Sequence, residues 1–366
     1  MPRHLSSWLG AIALTMPLAA LAAPFSNVYV FGDSLSDNGN LYTWTDATNP
    51  VTSGTPIPVA PPYSQGRFQN GPSYAELLWD RLGFVGDLTP SLLGGTNYAV
   101  GGARSRYHNF DLQPGGLPPA TGPSTFRIFS LLGQLEQYQK DLADGPLDSN
   151  ALYVVWGGSN DLQDVLTLAG KGDTNAAAAR LGQAVTDVAF VINSLVTQGA
   201  RELLVPMAPD IGVVPAVVAQ GAQAAGRAYS KAFNDLLDQA LAGLGAVPNL
   251  HIVRYDVFDL VQEMVAHPGD FGLTNATTPC LENFYVASTL DPNKPVTVCA
   301  IPDDHMFWDI VHPSARTHEI LAQGMRAAVP EPATFLLVGI GFAAFRLGTK
   351  RHRRGETARV ASIAAA

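Results

Sequence analysis

The chain alternates short apolar runs with longer stretches of helical period. Residues 28–31, 97–100, 151–156, 202–207 and 251–255 are brief runs rich in Val, Leu, Tyr and other apolar side chains. Their continuous apolar character is that of strands buried on both faces of a parallel sheet. Between them the period changes to that of a helix. Ser73-x-x-Glu76 forms a capping box ahead of Leu77, Leu78, Arg81 and Leu82. Leu131, Leu132, Leu135, Tyr138 and Leu142 place a helix over residues 128–142. Further helices are predicted over 175–198, 220–244 and 256–266, and Pro313 opens a last one that reaches about Ala328. Residues 43–69 and 105–123 read as loops rich in Pro and Gly, and 270–305 as a long excursion. Strands alternating with helices predict one three-layer α/β domain with a parallel five-stranded sheet.

Composition narrows the class. With 366 residues, 47% hydrophobic and 14% charged, the chain can bury one large core. Its 35 glycines and 27 prolines indicate long loops, not disorder, because apolar content stays high. The formal net charge is −9, and residues 23–328 hold 15 basic against 29 acidic side chains. Such an acidic body argues against nucleic acid as a partner.

The ends of the chain carry addresses. Residues 1–22 have a polar start at Arg3 and His4, an apolar run, and a small-x-small site at Ala20-Leu21-Ala22. That is the form of a cleaved secretory signal peptide. Residues 329–354 begin with Pro330-Glu331-Pro332 and continue as an apolar stretch over 333–345. Arg346, Lys350, Arg351, Arg353 and Arg354 follow, then a tail over 355–366. An apolar run closed by basic residues predicts stop-transfer with the basic side in the cytoplasm, hence transient membrane anchoring. The apolar run is short, which suits a temporary tether. In an exported protein, Cys280 and Cys299 favour a disulfide over free thiols.

Candidate chemistry begins at the first strand. Gly32-Asp33-Ser34 ends it and places a hydroxyl at the carboxyl end of the sheet, where open α/β folds put their sites. A serine needs a base, and the base needs an acid to fix its tautomer. Of eight histidines, His4 and His352 lie in the end segments and His251 begins a strand. His318 falls within the last helix, on an expected solvated face, and His108, His267 and His305 fall in loops. His312 stands apart because Asp309 precedes it by three residues and Pro313 follows it. One turn can return that carboxylate to that imidazole. Gly101-Gly102 after the second strand and Gly158-Ser159-Asn160-Asp161 after the third offer backbone N–H groups and a side-chain amide to an oxyanion. Asp303-Asp304-His305 has no second ligand cluster at a recognised metal spacing.

These blocks, taken in order, resemble the GDSL esterases and lipases of the SGNH hydrolase superfamily. The resemblance rests on Gly32-Asp33-Ser34-Leu35, Asp37-x-Gly39-Asn40, Gly66-Arg67-Phe68-x-Asn70-Gly71, the run from Asn97 to Ala103, Gly158-Ser159-Asn160-Asp161 and Asp309-x-x-His312-Pro313. It implies a flavodoxin-like fold with strand order 2-1-3-4-5 over residues 23–328, and no metal or organic cofactor. It implies Ser34 as nucleophile, His312 as base and Asp309 as its orienter. The oxyanion hole would use the N–H of Ser34, the Asn160 amide and the N–H of Gly101 or Gly102, with Gly102 favoured. The substrate class is an acyl ester or lipid, and the Gly-Arg-Phe segment and long loops are similar to the phospholipase, haemolysin and acyltransferase branch. Phe110, Leu112, Leu117, Phe271 and Phe284 are candidates for lining a lipid groove or, equally, for covering the core. Alternative functions are an O-acetyl esterase acting on exopolysaccharide and a non-catalytic surface module. The segment 329–354 resembles the PEP-CTERM sorting signal of Gram-negative bacteria, which implies an exosortase-type protease as partner. The mature domain would then face the periplasm, the cell surface or the medium.

Overall fold

A computed structural model of the protein describes residues 24–46, 54–112, 127–143 and 145–329. The predicted signal peptide, the sorting segment from residue 330 and the tail lie outside these residues. The central sheet has four parallel strands in the order β1 (Val28–Gly32), β2 (Leu152–Trp156), β3 (Glu202–Pro206) and β4 (His251–Tyr255). The expected fifth strand is a correction. Residues 96–100 run beside β1, linked by Val30 N–H to Thr96 O, Tyr98 N–H to Val30 O and Val100 N–H to Gly32 O. Only Asn97 forms a ladder bridge there. On its outer side this segment bonds locally: the Asn97 side chain accepts the Ala99 N–H and donates to Ser36 O and Asn38 Oδ1.

Nine helices are found among the described residues: α1 (Asn40–Thr45), α2 (Tyr74–Arg81), α3 (Leu131–Asp141), α4 (Ser159–Gly170), α5 (Thr174–Gln198), α6 (Pro215–Ala219), α7 (Gln223–Ala242), α8 (Val257–Ala266) and α9 (Ala315–Ala328). Alternation along the strands divides the core in two. Phe31, Tyr153, Val155, Leu203 and Val205 pack with side chains of α3, α4, α5 and α7. Val28, Val30, Leu152, Val154, Trp156 and Leu204 pack with side chains of α2, α8 and α9. Such alternation is what a pleated sheet covered on both faces requires.

Several helix ends follow from their caps. Ser73 and Glu76 form the capping box of α2, Ser130 accepts the Gly133 N–H at the start of α3, and Asp256 accepts the Asp259 N–H at the start of α8. Pro313 does not open the last helix. Ser314 caps it by accepting the Thr317 N–H, so α9 begins at Ala315. The excursion before it carries β5 (Asn275–Pro279), β6 (Leu281–Glu282), β7 (Phe284–Tyr285), β8 (Ser288–Thr289), β9 (Thr297–Val298) and β10 (His305–Phe307). Cys280 and Cys299 are joined in a disulfide within it.

Candidate active site

Ser34 sits where β1 turns into a loop. The carbonyl of Asp33 accepts the N–H groups of Ser36 and Asp37, which makes a tight turn around Ser34. Gly32 permits it, because a Cβ at that position would lie 2.7 Å from the Trp156 carbonyl and 2.8 Å from Ser36 Oγ. Gln134 of α3 clamps the same residue, accepting the Gly32 N–H at 2.8 Å and donating to the Gly32 carbonyl at 2.7 Å.

Asp309 and His312 lie in the loop between β10 and α9. His312 Nε2 is 2.9 Å from Ser34 Oγ, and His312 Nδ1 is 2.7 Å from Asp309 Oδ2. Asp309 Oδ1 also accepts the N–H groups of Val311 and His312 at 2.7 and 2.6 Å, so the three-residue spacing closes on itself. Asp309 is fully buried and His312 nearly so. The imidazole is packed between Phe68, at a ring distance of 5.1 Å, and Tyr285, whose ring is parallel to it within 11° at 5.8 Å. This hydrogen-bonded chain can move a proton from the serine hydroxyl to the imidazole while the carboxylate holds the other ring nitrogen.

Donors converge on the same turn. Asn160 is the second residue of α4, and its amide donates to Asp33 Oδ2 at 3.3 Å and to Ala103 O at 3.0 Å. Gly101 gives its N–H to Asp37 Oδ2 at 2.7 Å. No acceptor among the described residues takes the N–H of Ser34 or of Gly102. Gly102 has a φ of +78°, and a Cβ there would lie 2.1 Å from Asn109 Nδ2, so the site requires glycine. Asp37 also accepts the N–H groups of Gly39, Asn40 and Leu41, tying the first motif to the second. Burial pushes the carboxyls of Asp33 and Asp37 up to about 6, against the pull of these backbone donors.

Beneath the turn lies a buried ion-pair network that the sequence does not announce. Arg104 holds Asp164 through two bonds of 2.8 Å. Arg180 of α5 pairs with Asp161, and Ser105 donates to the same carboxylate at 2.8 Å. It fastens the Gly101-Gly102 turn to the start of α4, and so sets the distance between the two groups of donors. The α4 helix is not among the helices predicted from sequence, although Leu162, Val165, Leu166 and Ala169 carry helical spacing.

Two histidines differ from expectation. His318 is fully buried, accepts the Tyr74 N–H on Nδ1 at 3.0 Å, and is pushed down to about 3 mainly by burial. His108 is equally buried, with Nε2 2.6 Å from the Gly101 carbonyl, and is pushed down to about 4 by burial. Both follow from loop and helix packing that no local pattern reveals.

Ser34 and His312 open on a narrow cleft. Its wall is largely apolar, built by Leu35, Ile211, Val213, Val261, Phe307 and Leu321 among others. The loop residues first considered for a lipid groove lie elsewhere. Phe110 packs on Trp44 and His108, Phe284 on Tyr63, and Phe271 against the α8 side of the core. Leu112 does not line the cleft, and Leu117 is outside the described residues. Cys280, Cys299 and His305 bring three donor atoms within 4.8 Å, but the two sulfurs are bonded to each other. Among the described residues no helix is long and apolar enough to cross a membrane.

Comparison with known proteins places the chain among relatives. The sequence pattern of the GDSL-like lipase/acylhydrolase family matches residues 28–325, and that of the PEP-CTERM protein-sorting motif matches residues 328–354. The latter points to export through a sorting system of Gram-negative bacteria. A phosphatidylcholine-sterol acyltransferase of Aeromonas hydrophila is 27% identical, over 90% of this chain and 97% of that protein. A GDSL esterase/lipase of Arabidopsis thaliana is 28% identical, over 80% of this chain and 84% of that protein. Esterase EstA of Pseudomonas aeruginosa is 30% identical over 84% of this chain, which spans 47% of EstA. The chain belongs to the GDSL-like lipase/acylhydrolase family and is a hydrolase acting on ester bonds.

Proposed function

We propose that the protein is an exported serine esterase or lipase that cleaves acyl esters through a covalent acyl-enzyme on Ser34. The observation that carries this is the unbroken chain Ser34 Oγ, His312 and Asp309, with links of 2.9 and 2.7 Å, opening on an apolar cleft. Ser34 Oγ attacks the ester carbonyl as His312 Nε2 takes its proton. Asp309 holds the Nδ1–H tautomer and stabilises the imidazolium that forms. The oxyanion takes hydrogen bonds from the N–H groups of Ser34 and Gly102 and from the Asn160 amide. Gly102 suits that role because Gly101 already serves Asp37. Collapse expels the alcohol, which receives the proton from His312. Water then repeats the sequence on the acyl-serine and releases the acid.

The cleft favours an apolar acyl chain over acetyl, since each methylene buried there contributes about 0.8 kcal/mol. That supports the lipase reading over the polysaccharide O-acetyl esterase. The sorting motif supports a domain that crosses the inner membrane and is cut by an exosortase-type protease near Pro330-Glu331-Pro332. The experiment is hydrolysis of p-nitrophenyl esters from acetate to palmitate by the secreted enzyme and by Ser34→Ala. Activity rising beyond acetate and absent from the variant is expected. An optimum at acetate favours the deacetylase, and an active Ser34→Ala rejects the mechanism.

A further inference from the structure

Asp309 is held by more than its own turn. Tyr63 lies 246 positions earlier, in the loop between α1 and α2, and is buried. Its hydroxyl donates at 2.5 Å to Asp309 Oδ2, the oxygen that also faces His312 Nδ1. The same hydroxyl accepts the Val286 N–H at 2.9 Å, and the Val286 carbonyl accepts the Val59 N–H at 2.9 Å. The Tyr63 ring packs with Trp308, Phe284 and the Cys280 end of the disulfide. Burial and the Asp309 charge push the phenol well above its usual range, so it remains a donor.

We infer that Tyr63 is a positioning residue of the active site, acting through Asp309 on the orientation and proton affinity of His312. The inference rests on the roles of Ser34, His312 and Asp309 proposed above. Asp309 Oδ1 is satisfied by two backbone N–H groups, so the angle of Oδ2 toward the imidazole depends on what else holds that oxygen. In a dry site a phenol O–H fixes it strongly and draws off part of its charge. Without the phenol, the carboxylate keeps a buried lone pair unmet and is freer to turn. Its fuller charge also favours the imidazolium over the neutral base.

The charged and titratable groups facing His312 are Asp309, Asp33, the stacked Tyr285 and His318, with Arg104 acting on Asp33 and Tyr285. A Tyr63 substitution removes none of these groups and acts on them through the hydrogen bond to Asp309. A change in the pH profile therefore reports on the bond from Tyr63 to Asp309.

The test is Tyr63→Phe in the full-length exported enzyme, assayed on a p-nitrophenyl ester across pH with Ser34→Ala alongside. Expected are a kcat lower by about tenfold or more, as for a lost hydrogen bond to a charged group, a KM within about twofold, and an acid limb of kcat/KM moved to higher pH. Wild-type kcat with an unmoved acid limb overturns the inference. So does a loss confined to KM. If Tyr63→Phe does not fold, 3-fluorotyrosine placed at position 63 keeps the shape and strengthens the donor. The acid limb then moves to lower pH, and an unmoved limb again overturns the inference. An active Ser34→Ala would instead reject the underlying mechanism, so the two failures are distinguishable.

Discussion

The N–H of Gly101 is bonded to Oδ2 of Asp37 at 2.7 Å, whereas no acceptor among the described residues takes the N–H of Gly102. The carboxylate that holds Gly101 also gathers the N–H groups of Gly39, Asn40 and Leu41. One buried acid thus organises the first motif and aims the second. The backbone donors that remain beside Ser34 are its own N–H and that of Gly102, with the Asn160 amide close by on Asp33 and Ala103.

Ser34→Ala should abolish ester hydrolysis without unfolding the protein, with a loss of up to about 10⁶-fold in kcat. Asn160→Ala should cost about 10²–10³-fold, as for one oxyanion donor. Steady-state kinetics together with circular dichroism decide the matter. Equal losses for the two variants would argue that Asn160 is structural, since its amide also holds the Ala103 carbonyl.

Val213 lines the cleft and is only partly buried, so a larger side chain there can fill the space without overpacking the core. Val213→Phe should lower kcat/KM for octanoyl and longer esters by about 15- to 200-fold, the cost of expelling about two to four methylenes at about 0.8 kcal/mol each. Acetyl and butyryl esters should be hydrolysed as before. A uniform loss at every chain length would place the acyl group elsewhere.

Stability should respond to pH through the buried histidines. His318 and His108 are pushed down to about 3 and about 4, whereas in the unfolded chain they titrate at 6.5. As pH falls below 6.5 the unfolded chain gains protons that the folded one refuses, so stability is lost through this window. Asp33 and Asp37 act with opposite sign. Pushed up to about 6, they take protons in the folded protein first, which offsets part of the loss between pH 6 and 4. His318→Asn retains an acceptor for the Tyr74 N–H and removes one of the two destabilising groups. Urea melts should show a pH dependence shallower by about 1.4 kcal/mol per pH unit in that window. Identical slopes would refute the assignment.

The disulfide Cys280–Cys299 spans 19 positions of the excursion that leads to Asp309 and His312. Replacing both cysteines with serine should lower stability by about 3 kcal/mol in the chain-entropy account. Activity should fall as well, because the same excursion carries Tyr285 over the imidazole and Val286 against Tyr63. An unchanged denaturation midpoint in the double variant would contradict this.

Sorting can be followed with two tags, one within the stretch 43–69 that the sequence predicts as a loop and one after Ala366. In a host with the sorting machinery, the internal tag should appear on a shorter product at the surface or in the medium, parted from the C-terminal tag. Both tags together on membrane-embedded protein would indicate a permanent anchor. Both together in a soluble fraction would reject membrane anchoring.

Local chemistry alone determined much of this protein. The apolar runs of β1 to β3 are legible because strands buried on both faces need no partner to be recognised. Serine after Gly-Asp, Asp three residues before His, and Asn after a Gly-rich strand end are legible because each depends on short spacing. Tertiary structure alone decided what those groups meet. Ser34 and His312 come together across 278 positions, and Tyr63 reaches Asp309 across 246. Residues 96–100 carry a strand-like pattern and bond to β1, yet only Asn97 forms a regular bridge and its side chain takes the Ala99 N–H. His318 has the position of a surface residue on a helix, yet α2 closes over it. A side chain's type is written in the sequence, but its solvent and its partner are set by whichever element packs against it. Burial, proton affinity and the choice between Gly101 and Gly102 are all of that second kind.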